Sequence, residues 1–349
     1  MRIGEPAVAA LIRAKHDMAQ DLFLVPDRPF LPADAARLSQ TLNQNLLVFL
    51  PGAFYPAGVP AGFCFHLNKQ QTKAGFRFPP PPFVCWADIR LAGNEAFQDA
   101  MRAAGIYEWI LPFADCAAPA EHGYRRSYAH LAELRAASPA FIGITALFTD
   151  APEETHFQKL FGDAAFVTVG RPDRRRIPCA RKETDAARLR ELRRRCAKAP
   201  DAPTVVFFPT RRQAEEFDRA MRGQIACATL HGGIPADKNA ETLRRFRAGE
   251  IGVLAATKHL LPSAPFLTAR RVFFGGLPFS PALYRRCAAL LPQGELPLCV
   301  TAPADAVFNA RLAEAYADAM QFPKEAFLTA RRQKQARVLS LLEEMEPTV

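Results

Sequence analysis

Apolar and polar positions alternate most regularly between Thr204 and Pro278, where strand-like runs and helix-like spacings follow one another without a break. Val205-Val206-Phe207-Phe208 is a short apolar run ended by Pro209, and residues 212–222 then place Ala214, Phe217 and Met221 at helical spacing. This predicts one strand feeding one helix. A second run, 225–230, stops at His231-Gly232-Gly233, after which 235–248 reads as a helix carrying Leu243 and Phe246 toward the core. A third run, 252–256, ends at Thr257-Lys258, and a fourth, 271–274, ends at Gly275-Gly276. Buried strands separated by helices predict a parallel sheet with helices on both faces and its ligand edge at the carboxyl ends of the strands.

Elsewhere the pattern is looser. Residues 5–45 read as two helices, with Val8, Leu11 and Ile12 and then Ala36, Leu38 and Leu42 on apolar faces. Leu46 to Leu50 reads as the first strand, ending at Pro51-Gly52. Pro79-Pro80-Pro81-Pro82 is a rigid connector. The runs 83–87, 109–113, 141–145 and 165–169 read as further strands, with helices over 94–104 and 152–161. Beyond the regular stretch, 298–300 reads as a strand, and 305–320 and 327–345 as helices.

Composition narrows the class. A chain of 349 residues with 49% hydrophobic and 23% charged content is globular and long enough for two or three domains. No apolar run approaches the roughly 20 residues of a membrane helix. Eight scattered cysteines without a CxxC pair point to buried, reduced thiols and a cytoplasmic setting. The net charge of +10 favours a polyanionic partner, DNA or RNA, and the basic residues crowd between Arg171 and Lys198. A solvated helix face would show the same crowding.

Phe207 to Thr210, His231-Gly232-Gly233, Phe246 with Gly249, Val253 to Thr257, and Leu277-Pro278 followed by Ser280 and Tyr284 resemble the second RecA-like lobe of a RecQ-type DNA helicase. The likeness implies an α/β chain of two tandem RecA-like domains, each a mostly parallel sheet with helices on both faces. It divides the chain into lobe one at 1–182, lobe two at 183–303, and a short C-terminal helical segment at 304–349. It also implies DNA-backbone contacts by Thr210 and Thr257, with Arg211, Arg212, Lys258, Arg285 and Arg286 on DNA-facing loops. In lobe one, Tyr124, Arg125 and Arg126 resemble the family's aromatic-rich loop, where a ring beside arginines stacks on a base and grips a phosphate. Gln40 and Gln44 are nearest to the place of its adenine-recognising glutamine, without the family's spacing. His231 is expected as a turn residue, since no second ligand stands at metal spacing.

The likeness breaks where ATP chemistry belongs. After Leu50 the phosphate loop becomes Gly52-Ala53-Phe54-Tyr55-Pro56-Ala57, with Pro56 in place of the lysine and Ala57 in place of the Mg²⁺-holding hydroxyl. Leu111-Pro112-Phe113-Ala114-Asp115-Cys116 stands for the acidic Mg²⁺ box, and its two carboxylates are gone. Ser263-Ala264-Pro265 replaces a Gly-Ile-Asp element, and Ala289-Leu290-Leu291-Pro292-Gln293 replaces the paired arginine fingers. No catalytic residue, cofactor or metal is expected. Three readings follow: a RecQ-like pseudohelicase that binds nucleic acid, a divergent ATP-dependent helicase, and a protein-interaction scaffold. Pro262, Pro265 and Phe266 favour the scaffold, and the retained basic residues favour the pseudohelicase.

Overall fold

The computed structural model describes residues 12, 22–25, 30, 32–52, 64–65, 75–118, 126–136, 143–147, 167–170, 175–292 and 294–345. The chain divides into two compact units, Met1–Asp173 and Arg174–Val349.

The first unit contains the strands Leu22–Val25 (β1), Leu46–Leu50 (β2), Cys64–Phe65 (β3), Val84–Asp88 (β4), Glu108–Leu111 (β5), Gly143–Leu147 (β6) and Val167–Gly170 (β7). Its helices are Pro32–Leu42 (α1), Glu95–Ala103 (α2) and Ala129–Ala136 (α3). The strands form one sheet in the order β3-β4-β2-β5-β6-β1-β7, and every described pairing is parallel. β2, β4 and β5 are buried along their whole length, as strands covered on both faces must be. Asn94 starts α2 by accepting a hydrogen bond from Phe97 N at 2.9 Å, and this aims the Phe97 ring edge-on at Phe49 of β2.

β1 overturns part of the sequence reading. Residues 22–25 are a strand rather than part of a helix, and they pair with both β6 and β7. β1 and α1, joined by residues 26–31, make a strand-to-helix unit of the kind a phosphate loop requires, ahead of β2 and the residues around Gly52 and Pro56. That connection reads Pro26-Asp27-Arg28-Pro29-Phe30-Leu31, with neither glycine nor lysine. All of it except Phe30 lies outside the described residues, as does Pro56. Gly52 instead turns the chain after β2, its N–H donating to Leu50 O at 2.8 Å. Gln44 sits at the amino end of β2, away from the edge where a nucleotide would lie, in a turn closed by Ser39 Oγ donating to Gln44 O at 2.7 Å.

The second unit contains the strands Ile177–Arg181 (β8), Thr204–Phe207 (β9), Cys227–Leu230 (β10), Val253–Ala256 (β11), Arg271–Phe274 (β12), Leu298–Thr301 (β13) and Leu342–Glu344 (β14). Its helices are Asp185–Ala197 (α4), Arg211–Met221 (α5), Ala236–Arg247 (α6), Pro281–Ala288 (α7), Asp305–Met320 (α8) and Lys324–Leu341 (α9). The sheet order is β10-β11-β9-β12-β13-β8-β14, again parallel throughout. Leu192 and Cys196 of α4 and Ala214, Phe217 and Met221 of α5 pack on Val206, Val253, Ala255 and Val300. The helical spacing seen in the sequence is this contact. By the right-handed rule for parallel crossovers, the strand order puts α6 and α7 on the opposite face.

Two boundaries move. β8 pairs with β13, so the second unit begins at Arg174, ahead of the expected 183. The segment 304–349 is no separate appendage, because β14 pairs with β8 in the same sheet. No helix among the described residues is long and apolar enough to cross a membrane. The seven cysteines whose side chains are described are free, and six of them are buried.

Candidate nucleic-acid interface

Leu230 of β10, Ala256 of β11 and Phe207 of β9 are in register on three adjacent strands. The loops that follow them therefore leave the sheet at one level of its carboxyl edge. They carry His231-Gly232-Gly233, Thr257-Lys258-His259 and Thr210-Arg211.

Each loop has a local cause. Thr210 caps α5, its Oγ1 accepting from Gln213 N at 3.3 Å and donating to Gln213 Oε1 at 2.9 Å. The cap puts Arg211 at the first position of the helix, exposed. His231 is buried, and its Nδ1 accepts from Gly233 N at 3.1 Å, which leaves Nε2 to donate to Glu215 Oε1 at 2.9 Å. Asn239 Nδ2 donates to His231 O and Ile234 O, both at 3.1 Å, and closes the turn. His231 is thus a turn residue, as its place in the sequence suggests. No cluster of His, Cys, Asp and Glu able to hold a metal ion occurs among the described residues.

The glycines give room to the cations. A Cβ at Gly233 would lie 3.0 Å from Arg211 Nη1, and one at Gly232 would lie 3.4 Å from His259 Nδ1 and 3.7 Å from Arg211 Nη2. Exposed glycine backbone, a guanidinium and an imidazole thus share one notch, where an anion can approach main chain and cation together.

The other expected contacts are placed differently. Thr257 is buried, with its N–H on Leu230 O at 3.1 Å. Lys258 holds its ammonium 5.2 Å from the centroid of the Tyr316 ring on α8. Arg212 is exposed and paired with Glu216 at 2.7 Å. Arg285 and Arg286 are not on a loop. Ser280 caps α7 by accepting from Leu283 N at 3.0 Å, Pro281 opens the helix, and both arginines are buried on it. In the first unit Arg126 is exposed in a turn before α3, whereas Tyr128 is core, its hydroxyl donating to Phe113 O at 3.2 Å. Tyr124 and Arg125 lie outside the described residues. Thr145 of β6 donates to Glu108 Oε1 at 2.6 Å in the core.

Sequence reasoning missed His259, Glu215, Asn239 and Tyr316. The first three could have been found from their spacing to the His231 turn, but Tyr316 reaches Lys258 only through the tertiary fold.

These features give the chain the fold of two RecA-like domains in tandem, each a mostly parallel sheet with helices on both faces. Residues 186–288, which include the whole notch, match the model of the helicase conserved C-terminal domain. The chain is similar in structure to S. cerevisiae Dbp5 bound to RNA and ADP BeF3, with TM-score 0.53 and 11% identity over 96% of this chain and 86% of that one. It is also similar to Mycobacterium smegmatis helicase Lhr bound to ssDNA and AMP-PNP, with TM-score 0.63, 14% identity and 94% of this chain covered. A third likeness is to the DUF1998 helicase MrfA bound to DNA, with TM-score 0.54, 12% identity and 95% covered. The chain spans about half of Lhr and MrfA, 53% and 52% of their lengths. No curated protein matches it in sequence.

Proposed function

We propose that the chain is a RecQ-like helicase-fold protein that binds single-stranded DNA or RNA and does not hydrolyse ATP. The observation that carries the binding half is the shared notch of Arg211, His259 and the Gly232-Gly233 backbone at the carboxyl edge of β10, β11 and β9. That edge is where open parallel sheets take their ligands. The solved neighbours bound to RNA, ssDNA and DNA support the same partner class. The order of motifs from Phe207 to Tyr284 favours the RecQ-like branch.

The inactive half rests on chemistry. The connection between β1 and α1 holds no glycine or lysine to cradle a phosphate, and Pro112-Phe113 stands where two carboxylates would hold Mg²⁺ and polarise water. In phosphoryl transfer an arginine finger alone is worth on the order of 10³-fold or more, so joint loss of these elements leaves no measurable turnover. The free thiols fit a reducing, cytoplasmic setting.

Fluorescence anisotropy with labelled single-stranded DNA and RNA at two salt concentrations, with and without Mg-ATP, tests the reading. Salt-sensitive binding that ignores ATP, weakened and with a shallower salt slope in an R211Q/K258Q variant, is expected. Binding that responds to ATP would establish a divergent active helicase, and no binding at low salt would leave the interaction scaffold.

A further inference from the structure

A second cationic surface lies along α4. Arg190, Arg194 and Lys198 follow one another at i, i+4 and i+8, so they form one row with a rise of about 6 Å per step, and all three are exposed. Arg194 shares Glu191 with Arg195, at 2.8 and 2.6 Å. Among the described residues, Arg190 and Lys198 have no acid within ion-pairing distance. Lys198 also borders an open groove of about 510 Å³, lined by Arg195, Arg271, Phe273, Leu296 and Met345 among others.

This groove is at the amino edge of the second sheet, opposite the notch, because Arg271 is the first residue of β12 and α4 runs antiparallel to the strands. A helix C-terminus normally repels anions. Here Arg271 cancels that repulsion by donating from Nη1 to Arg195 O at 2.6 Å and from Nη2 to Cys196 O at 3.2 Å. The carbonyls that would face an incoming phosphate are already covered by a cation. The floor is apolar, and Met345 is left 46% exposed at its side.

We infer that the α4 row and its groove form a second binding site for single-stranded nucleic acid, with phosphates along Arg190, Arg194 and Lys198 and a base against Leu296 and Met345. A cationic track that follows the backbone is one half of sequence-tolerant single-strand binding, and here the aromatic platform that usually completes it is replaced by aliphatic Leu296 and the thioether of Met345. The site is separate from the notch and stands whether or not the notch binds.

The test uses the full chain and a thiouridine-substituted oligo(U). Each single-strand phosphate contact contributes about 0.7 to the log–log salt slope, so an R190Q/R194Q/K198Q variant should lose about two units. R190Q/K198Q, which leaves the Glu191 pairs intact, should lose about 1.4. Photocrosslinks should map to Leu296 or Met345 and disappear in both variants, with the thermal midpoint of R190Q/K198Q unchanged. An unchanged slope in the correctly folded double variant, or crosslinks confined to 207–233 and 256–259, would overturn the proposal. So would competition by polyglutamate as strong as that by oligo(U). If R211Q/K258Q binds like the wild type while the α4 variants do not, the notch fails and this site stands.

Discussion

Lys258 Nζ stands 5.2 Å above the ring of Tyr316, so the cation that leaves the carboxyl end of β11 is held by the C-terminal hairpin of α8 and α9. Arg331 of α9 faces the same ring at 5.9 Å, together with Phe279 at 5.6 Å and Phe327 at 5.3 Å. A lysine on an aromatic face is stabilised by about 0.5–1 kcal/mol, which a phosphate contact can outweigh. The Tyr316→Leu variant keeps the apolar bulk of the hairpin and removes most of the attraction. Lys258 is then released toward the notch, and the salt slope of nucleic-acid binding should steepen by about 0.7. Anisotropy titrations at several salt concentrations measure this, and a slope equal to or shallower than the wild type refutes it.

Gly233 tests whether the notch depends on its open space. Its backbone does not need glycine, since no positive φ is recorded for it, but an added Cβ would lie 3.0 Å from Arg211 Nη1 and 3.2 Å from the His231 ring. The ring is pinned by Glu215, so the flexible guanidinium must give way. Gly233→Ala should leave the thermal midpoint nearly unchanged and weaken binding as strongly as Arg211→Ala. A variant that binds normally would remove Arg211 from the site.

Arg188 of α4 and Asp305 at the start of α8 form a buried ion pair beside Gly276, and Asp305 also accepts from Ala302 N at 2.9 Å. Burial pushes the Asp305 carboxyl up, and Arg188 offsets only part of that. Removing Arg188 strands the Asp305 carboxyl in the core, whereas Arg188 keeps Asp185 at 3.1 Å when Asp305 is removed. Arg188→Met should therefore cost about 3–5 kcal/mol, while a paired Arg188→Met/Asp305→Leu replacement should be close to neutral. Urea unfolding of the three proteins decides the matter, and equal losses in single and double variants would contradict this account.

The second domain was legible because its strands are short apolar runs ended by turn residues, and each helix repeats its buried positions at 3.6-residue spacing. Phe217 and Met221 read as core and are core. β1 escaped because Leu22 to Val25 is a four-residue apolar run without flanking alternation, and short runs of this kind fit helix and strand alike. Its pairing with β6 and β7 is purely long-range. The position of Arg211 at the carboxyl edge of the sheet was legible from its place after a strand. Arg285 and Arg286 misled because charge argues for exposure, and nothing local shows that a Ser-Pro start will build a buried helix there. Lys258 was read as a phosphate contact because its aromatic partner is remote in sequence.

Glu191 gives a pH test of the α4 surface. Arg194 donates two hydrogen bonds to its carboxylate and Arg195 one, with Lys182 Nζ 3.9 Å away, and these hold the carboxyl at about 2, down from its ordinary 4.5. A depressed carboxyl contributes stability that is present above its unfolded value and lost as pH falls through its folded value. The contribution should be complete at neutral pH and decline from about pH 4.5 toward pH 2. Glu191→Gln removes it, so the variant should be less stable than the wild type at neutral pH, with the gap narrowing as the solution is acidified through that window. Urea midpoints at a series of pH values, followed by circular dichroism, measure the gap. A gap that stays constant down to pH 2 would show that Glu191 acts through packing and not through its charge.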